Sequence, residues 1–405
     1  MAYLQLNSDI RIRLAGIFVL GLFFSLGAFP ALAAGDSENV MNWGVMGMQL
    51  FGGLALFLFG MEQMADALKA VAGERMKTIL AKLTSNRFMG AVTGAFVTAV
   101  IQSSSVTTVL VVGFITAGLM SLSQSVGVIM GANIGTTITA QIVAFKVTKA
   151  ALLMIGGGFS MLFISKNEKI KQYGAMLMGL GLVFFGMSVM SDAMKPLRSY
   201  QPFLDLMVQM ENPLVGILIA AAFTGLVQSS SATTGIVIVM ASQGFITLPA
   251  GIALAFGANI GTCVTAMLAS IGKPREAVRA AMVHVLFNVA GVVLWFLFIP
   301  QLAEVVTSLS PTYPELTGID KLGAETPRQI ANAHTIFNIA NTIIFIGFTA
   351  QFARLVEKLI PDRPIEEEGL VVTAKYLEPD LLKTPAFALD RVRMEMLNMG
   401  ERVQA

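Results

Sequence analysis

The sequence predicts an all-α membrane protein made of two inverted-topology repeats, each containing a re-entrant helical hairpin. The chain is 55% hydrophobic and only 13% charged, with a mean hydropathy of +0.73, whereas a soluble domain carries about 25% charged residues. Apolar stretches with the length of membrane spans recur along it. One segment of the sequence is also duplicated, with polar residues at the same positions in both copies. These three observations carry the prediction.

The composition also excludes several classes of protein. A net charge of +2 gives no indication of nucleic-acid binding. Cys263 is the single cysteine of the sequence, so neither an intrachain disulfide nor a cysteine metal site can form. Two histidines and no dense carboxylate cluster argue against a dedicated metal centre. The lipid bilayer is therefore the first expected partner.

Residues 1–34 are predicted to be a signal peptide. Arg11 and Arg13 form a basic region, an apolar stretch covers residues 14–29, and residues 31–33 (Ala-Leu-Ala) supply a cleavage site. An uncleaved first transmembrane helix is the alternative. Cleavage would place the mature N-terminus outside the cytoplasm.

Apolar spans follow, and they divide the chain into expected regions. The spans lie at about 45–62, 124–145, 150–165, 174–191, 249–271, 280–300 and 334–352. The expected regions are repeat 1 (45–173), repeat 2 (174–300), a periplasmic loop with an extra C-terminal transmembrane helix (301–360), and a cytoplasmic helical segment (364–405). The last segment is amphipathic, and we expect it to be part of a truncated regulatory domain.

Two further stretches, 88–118 and 214–244, carry Gln-Ser-Ser-Ser at their centres. Four consecutive polar residues point in all directions round a helix, so a straight helix facing lipid would leave some of them in hydrocarbon. Each arm, at roughly 20 Å, is also too short to cross the bilayer alone. We therefore predict two re-entrant hairpins whose broken tips are buried in protein. A straight helix buried on all sides is the alternative.

The distribution of Lys and Arg does not choose between these two interpretations. Both place the C-terminus in the cytoplasm. Hairpins give three crossings in each repeat, an odd number, so the second repeat is inverted. Straight helices give four crossings and parallel repeats.

The duplication aligns residues 56–140 (the first copy) with 182–266 (the second copy), without a gap and at an offset of 126. Gln102-Ser103-Ser104-Ser105 falls on Gln228-Ser229-Ser230-Ser231, Thr107-Thr108 on Thr233-Thr234, and Gly-Ala-Asn-Ile-Gly-Thr at 131–136 on the same motif at 257–262. Repeated halves with matching polar interruptions are typical of secondary transporters, with the site where the halves meet.

The chemistry of the repeated segments is neutral and oxygen-rich. Residues 88–145 and 212–272 contain no Asp, Glu, Lys, Arg or His. Hydroxyl and carbonyl oxygens can replace the hydration shell of sodium, while serine hydroxyls and free N–H groups at a half-helix N-terminus can bind an anion. A buried anion without a cationic side chain is costly, so bound sodium would supply the missing positive charge. The same reasoning fits any small anion.

Three smaller patterns complete the sequence. The motif Gly-Ala-Asn-Ile-Gly-Thr predicts a second helix break in each copy, with helix packing as the alternative. His284-x-x-Phe-Asn288 recurs as His334-x-x-Phe-Asn338; interhelical hydrogen bonding is the favoured interpretation, and a proton or phosphate relay is the alternative. Two Asp-x-x-Lys pairs near span ends predict ion pairs. They are Asp66 with Lys69 and Asp192 with Lys195.

Paired Gln-Ser-Ser-Ser motifs, each followed by Gly-Ala-Asn-Ile-Gly-Thr, resemble the type II sodium–phosphate cotransporter family over about residues 45–352. The resemblance implies an inverted-repeat transporter that moves inorganic phosphate with sodium. It also implies that the two serine motifs line the substrate and sodium sites. Animal members carry a large disulfide-bonded extracellular loop between the repeats, whereas this chain has a short 195–213 connection. Residues 370–405 weakly resemble the start of a phosphate-uptake-regulator-type domain.

The predicted site follows from the motifs and the resemblance. The substrate-binding candidates are Gln102, Ser103, Ser104, Ser105, Gln228, Ser229, Ser230, Ser231, Asn133 and Asn259. The sodium candidates are Ser105, Thr107, Thr108, Thr136, Ser231, Thr233, Thr234 and Thr262.

The predicted function is sodium-coupled symport of inorganic phosphate, with no catalysis, across a bacterial cytoplasmic membrane that the chain crosses several times. Sodium-coupled transport of a dicarboxylate or another small oxyanion is the alternative within transport. An intramembrane serine hydrolase would need a general base that neither repeat core supplies. A non-transporting sensor acting through the C-terminal helix is the third candidate, and a homodimer is a candidate assembly.

Overall fold

The computed structural model describes residues 42–72, 86–145, 147–361, 376 and 385–404. Every regular element in these ranges is helical, which confirms the all-α class. The predicted signal peptide lies outside the described residues. The chain forms two compact units, one ending at Ile360 and the other beginning at Pro361.

Fourteen α-helices are described in the first unit. They are α1 (Trp43–Ala72), α2 (Arg87–Ile101), α3 (Ser104–Thr116), α4 (Leu122–Val143), α5 (Ala151–Ile164), α6 (Glu168–Met194), α7 (Gln201–Gln209), α8 (Pro213–Val227), α9 (Ser230–Ser242), α10 (Leu248–Ser270), α11 (Arg275–Phe296), α12 (Ile299–Leu309), α13 (Gly318–Phe345) and α14 (Thr349–Leu359). Short 3₁₀ turns lie at Thr148–Ala150, Lys195–Ser199 and Ile346–Phe348.

Six of the described helices are long and apolar enough to cross a membrane: α1, α4, α6, α10, α11, and α13 continued by α14. The α7 and α8 pair, bent by 101° at its junction, would make a seventh span if it crossed as one. The predicted span at 150–165 forms α5, which has 14 residues and is shorter than each of these six spans. The chain is a multi-pass helical membrane protein.

The helix breaks predicted at the two serine motifs are present. Residues 102–103 separate α2 from α3, and residues 228–229 separate α8 from α9. The two arms have 15 and 13 residues in both copies. The alternative of one straight helix through each motif is therefore wrong.

The chain folds back sharply at each break. The hydroxyl oxygens of Thr98 and Thr107 are 2.8 Å apart, and those of Thr224 and Thr233 are 2.7 Å apart. Two residues nine positions apart in a straight helix would be separated by roughly 13 Å along its axis. The contact therefore requires a reversal of the chain between α2 and α3, and again between α8 and α9.

Helices α1 and α6, which are the same element in the two copies, pack against each other through glycines. A Cβ atom at Gly60 would lie 2.5 Å from the carbonyl oxygen of Gly179, and one at Gly186 would lie 2.5 Å from that of Gly53. Only glycine allows so close an approach of two helix backbones. Because residue 53 meets 186 and residue 60 meets 179, α1 and α6 run antiparallel.

The second break predicted at Gly-Ala-Asn-Ile-Gly-Thr is wrong. Both α4 and α10 run through the motif without interruption. The glycines serve packing instead: a Cβ at Gly131 would lie 1.9 Å from the carbonyl oxygen of Ala91 on α2, and one at Gly257 would lie 2.3 Å from that of Ile217 on α8. We call α4 and α10, which carry this motif, the motif helices. Small residues let the first arm of each pair lie directly on the motif helix of its own copy.

The region directly after the second copy differs from the expected periplasmic loop. Where the sequence predicts a periplasmic loop from residue 301, the amphipathic helix α12 continues to Leu309, leaving only a short connection to α13. Amphipathic spacing of apolar residues explains this helix, because it buries Leu302 and Val306.

The centre of the first unit lies around α4 and α10, the most buried of the membrane-length helices. The second arm α3 packs against α10 and α11, and the second arm α9 packs against α4 and α13. Each second arm therefore contacts the motif helix of the other copy.

The second unit contains α15 (Pro385–Gln404), which confirms the predicted amphipathic helix. The Glu395 side chain accepts hydrogen bonds from the backbone N–H of Tyr376 at 2.8 Å and from the Asn398 amide at 3.0 Å. Leu389 and Leu397 are exposed.

Candidate functional site

The two helix pairs end in tips with the same backbone, which we call the first tip (102–105) and the second tip (228–231). Gln102 has φ 59° and ψ 23°, and Gln228 has φ 57° and ψ 29°. Among the described residues other than glycine, these two have positive φ. A left-handed conformation costs such a residue roughly 1–2 kcal/mol. Strain of this kind is retained mainly where a site requires it.

The serine after each glutamine begins the second arm. Ser103 is extended, and its Oγ accepts a hydrogen bond from the backbone N–H of Val106 at 3.3 Å. Ser229 accepts in the same way from Ala232 at 3.2 Å. A capping serine satisfies one of the four free N–H groups at a helix start and leaves the positive end of the helix dipole at the tip.

The remaining tip serines lie directly on these helix ends. Ser104 and Ser230, the first residues of α3 and α9, are buried, whereas Ser105 and Ser231 are half-buried. Two hydroxyl groups and free backbone N–H groups at a helix start form an arrangement that can bind an oxyanion.

The threonines of α3 and α9 that are predicted to bind sodium are buried and already hydrogen-bonded in part. Thr107 and Thr233 each donate to the carbonyl oxygen of the capping serine at 3.2 Å, and Thr108 donates to that of Ser104 at 2.9 Å. Each hydroxyl uses its single hydrogen in this way, so its oxygen can act only as an acceptor toward any further partner. Thr107 already accepts from Thr98, which leaves its oxygen one further lone pair. Thr234 is buried on α9, the counterpart of Thr108.

The same use of hydroxyl hydrogens is found on the motif helices. Thr136 donates to the carbonyl oxygen of Ala132 at 3.2 Å, and Thr262 donates to that of Ala258 at 2.9 Å. Both threonines are buried. Their oxygens suit a cation better than an anion, and their role as sodium ligands stays a prediction.

The asparagines predicted as substrate ligands lie in two hydrogen-bonded networks that cross between helices. In the first network, Asn133 Nδ2 donates to Asn288 Oδ1 at 2.7 Å, and His284 Nε2 lies 3.2 Å from Asn133 Oδ1. Asn288 Nδ2 donates to the carbonyl oxygen of His284 at 2.9 Å. All three side chains are buried.

The second network repeats the first, with Asn259, His334 and Asn338 in the same roles. The corresponding distances are 3.2, 3.0 and 2.8 Å. The favoured interpretation of the histidine pattern, interhelical hydrogen bonding, is thus confirmed. The pairing with the Asn of Gly-Ala-Asn-Ile-Gly-Thr was missed, because the histidine pattern repeats at an offset of 50 and the asparagine pattern at 126.

The predicted ion pairs are also present. They join Asp66 to Lys69 at 2.9 Å and Asp192 to Lys195 at 2.7 Å.

Two cavities lie near these elements. The larger, about 190 Å³, is lined mainly by apolar residues such as Met207 and Phe245 together with Glu211, and therefore does not suit an anion. The smaller, about 30 Å³, lies between Thr108 of α3 and Ser270 of α10, at the contact between the copies. A space of that size holds little more than one water molecule.

The protein is a multi-pass helical protein with duplicated, broken helix pairs, and each second arm contacts the motif helix of the opposite copy. These features place it structurally with the secondary transporters. The Na+/Pi-cotransporter family model matches residues 56–192 and 199–311. The chain therefore belongs to this family. This membership confirms the prediction that the chain is a transporter of the phosphate class and not an enzyme.

Several curated proteins are similar to the chain. It is 30% identical to the uncharacterized protein YqeW of Bacillus subtilis over 64% of its own length and 84% of that protein. It is 28% identical to the putative inorganic phosphate export protein YjbB of Escherichia coli, over 66% of the chain but only 50% of YjbB. The sodium-dependent phosphate transport protein 2C of the rat is 40% identical over 20% of the chain and 14% of that protein. No solved structure matches the chain.

Proposed function

We propose that the protein carries inorganic phosphate together with sodium across the bacterial cytoplasmic membrane, from one site at the two tips. The observation that carries the proposal is the matched construction of the tips. Both place a left-handed glutamine and a serine-capped helix start at a break, and each second arm contacts the motif helix of the other copy.

The anion side of the proposal rests on the helix starts of α3 and α9. Each end of a helix dipole supplies only about half a charge. Two such ends, with the hydroxyls of Ser104 and Ser230, approach what a small oxyanion needs. Gln102 and Gln228 add amide groups, and Gln102 Nε2 keeps one N–H beyond the one that it donates to the carbonyl oxygen of Ala99.

The sodium side rests on the charge of the same segments. Residues 88–145 and 212–272 have no cationic side chain to balance phosphate. The hydroxyl hydrogens of the buried threonines described above are already donated, so their oxygens are acceptors, which suits a hard cation. Bound sodium would therefore complete the charge of the loaded site, which makes transport sodium-dependent.

The proposal includes two inverted repeats, residues 45–173 and 174–300, with re-entrant hairpins at 88–118 and 214–244. The antiparallel packing of α1 on α6 supports inversion, since exchanging the copies converts the Gly60–Gly179 contact into the Gly53–Gly186 contact. Arms of 15 and 13 residues that fold back at the tip support re-entrance. We also propose that residues 301–360 complete the membrane unit and that residues 364–405 are cytoplasmic.

Export is a second candidate direction. The similar YjbB protein of E. coli is named as a putative phosphate exporter, whereas the rat relative is named as sodium-dependent. A symporter moves its substrate in whichever direction the combined gradients favour, so one site serves both directions.

Phosphate flux in liposomes containing the purified protein tests the proposal. We expect an inward sodium gradient to drive uptake of labelled phosphate, and potassium or choline to give none. An outward sodium gradient on phosphate-loaded vesicles should drive efflux. Equal phosphate uptake in a sodium-free potassium medium would refute sodium coupling. Sodium-driven uptake of a labelled dicarboxylate that unlabelled phosphate does not inhibit would favour another substrate.

A further inference from the structure

Both histidines of the chain are buried inside the membrane unit, on α11 and α13. His284 is 1% exposed and His334 is 2% exposed. Each is hydrogen-bonded to the asparagine of a Gly-Ala-Asn-Ile-Gly-Thr motif, and these two asparagines are predicted substrate ligands. A polar side chain is costly to bury unless its bonds are specific.

The direction of every bond in the first network follows from one backbone group. The carbonyl oxygen of His284 can only accept, so the Asn288 group facing it is the donor Nδ2. Asn288 Oδ1 therefore faces Asn133, whose facing group must be Nδ2. This leaves Asn133 Oδ1 toward His284, and His284 Nε2 must carry the hydrogen.

The second network gives the same result from the carbonyl oxygen of His334, through Asn338 and Asn259. In both networks the asparagine carboxamide is held in one of its two orientations by a histidine N–H on one side and a second asparagine on the other. An unrestrained asparagine side chain has two nearly equivalent orientations. Each held carboxamide retains a second N–H hydrogen and a second oxygen lone pair for a ligand.

We infer that His284 and His334 are positioning residues, which fix the orientation of the Asn133 and Asn259 carboxamides for substrate or sodium; this inference rests on the proposed function. Without the Nε2 donor, the buried asparagine oxygen loses its partner, and the side chain is free to turn. The loaded site would then meet an amide nitrogen where it needs an oxygen, or the reverse. The consequence is weaker binding, with the fold retained.

Two substitutions separate this role from packing. His284→Gln keeps an N–H donor at about the position of Nε2, whereas His284→Met fills a similar volume without a donor. We expect His284→Met to raise the phosphate or sodium KM about tenfold or more, which is the usual effect of leaving one buried acceptor unpaired. We expect His284→Gln to stay within about threefold of wild type. His334→Gln and His334→Met should repeat the pattern.

A double-mutant cycle identifies the partner of each histidine. His284→Met combined with Asn133→Ala should cost little more than either change alone, because both break one network. The matched control combines His284→Met with Asn259→Ala, where the two effects should add, since each change breaks a different network. Thermal unfolding of every variant in detergent shows that the protein is folded.

The results distinguish the inference from the proposed function. Wild-type protein that moves no phosphate would overturn the proposed function. Normal wild-type transport with an unchanged KM for both Met variants would overturn the positioning role alone. A Gln variant as impaired as the Met variant would also overturn it, because the donor would then not be what the site requires.

Discussion

The two tips have the same sequence and the same backbone, yet their side chains are bonded differently. At the first tip, Gln102 Nε2 donates to the carbonyl oxygen of Ala99, and Gln102 Oε1 accepts from the hydroxyl of Thr139 on α4. At the second tip, the equivalent threonine is Thr265 on α10, and its buried hydroxyl has no hydrogen-bond partner. The bond between glutamine and threonine therefore joins tip to motif helix in the first copy only.

The difference teaches that equivalent residues in a duplicated protein need not be equivalent in one conformation. A transporter of inverted repeats that is open to one side holds its two halves in different arrangements. This protein shows such a difference at the proposed site, where Thr139 bonds Gln102 but Thr265 does not bond Gln228. The following predictions test the likeness of the two copies first and their difference afterwards.

The largest effect is expected from the orientation of the copies. Phe88 and Leu214 occupy equivalent positions near the starts of α2 and α8, and both are exposed. In a Cys263→Ala background, Phe88→Cys should react with a membrane-impermeant thiol reagent only from the cytoplasm, and Leu214→Cys only from outside. Reaction of both from the same side would show that the repeats are parallel.

Next in size is the loss of either glutamine. Gln102→Ala and Gln228→Ala should each remove most phosphate uptake, on the order of tenfold or more, because each removes an amide that the proposal assigns to ligand binding at a tip. Uptake by proteoliposomes measures the effect, with thermal unfolding as the control for folding. If both variants transport normally, the glutamines only shape the turn.

A smaller effect separates the two tips. Thr139→Val removes a hydroxyl that bonds Gln102, and we expect it to lower the free energy of unfolding by about 1–2 kcal/mol. Thr265→Val removes a hydroxyl without a partner, so it should leave the stability unchanged or raise it slightly. Equal destabilisation by the two substitutions, measured by denaturation in detergent, would mean that the tips are bonded alike in solution.

The smallest effect on stability and transport is expected from the exposed ion pairs that both copies share. Asp66→Asn and Asp192→Asn each break an exposed ion pair three residues apart. Such pairs contribute about 0–1 kcal/mol, so both variants should unfold within that range of wild type and transport phosphate normally. Strong loss of uptake in one variant but not in the other would assign that aspartate a role beyond its lysine.

The sequence by itself determined the class of the protein, its duplication and the helix breaks at its two serine motifs. Hydropathy fixes which segments can cross a bilayer, and four consecutive polar residues cannot continue a lipid-facing helix. The ion pairs followed equally from local spacing, because residues three apart lie on one helix face. These features depend only on neighbours along the chain.

The tertiary structure decided what no local pattern contained. The glycines of Gly-Ala-Asn-Ile-Gly-Thr pack on the first arm of each pair instead of breaking the helix, because the backbone of another helix lies against them. Asn133 met His284, and Asn259 met His334, across 151 and 75 residues. The equivalent Thr139 and Thr265 differ for the same reason, since one is bonded to Gln102 and the hydroxyl of the other has no partner. A hydrogen bond between distant segments depends on where packing places both of them.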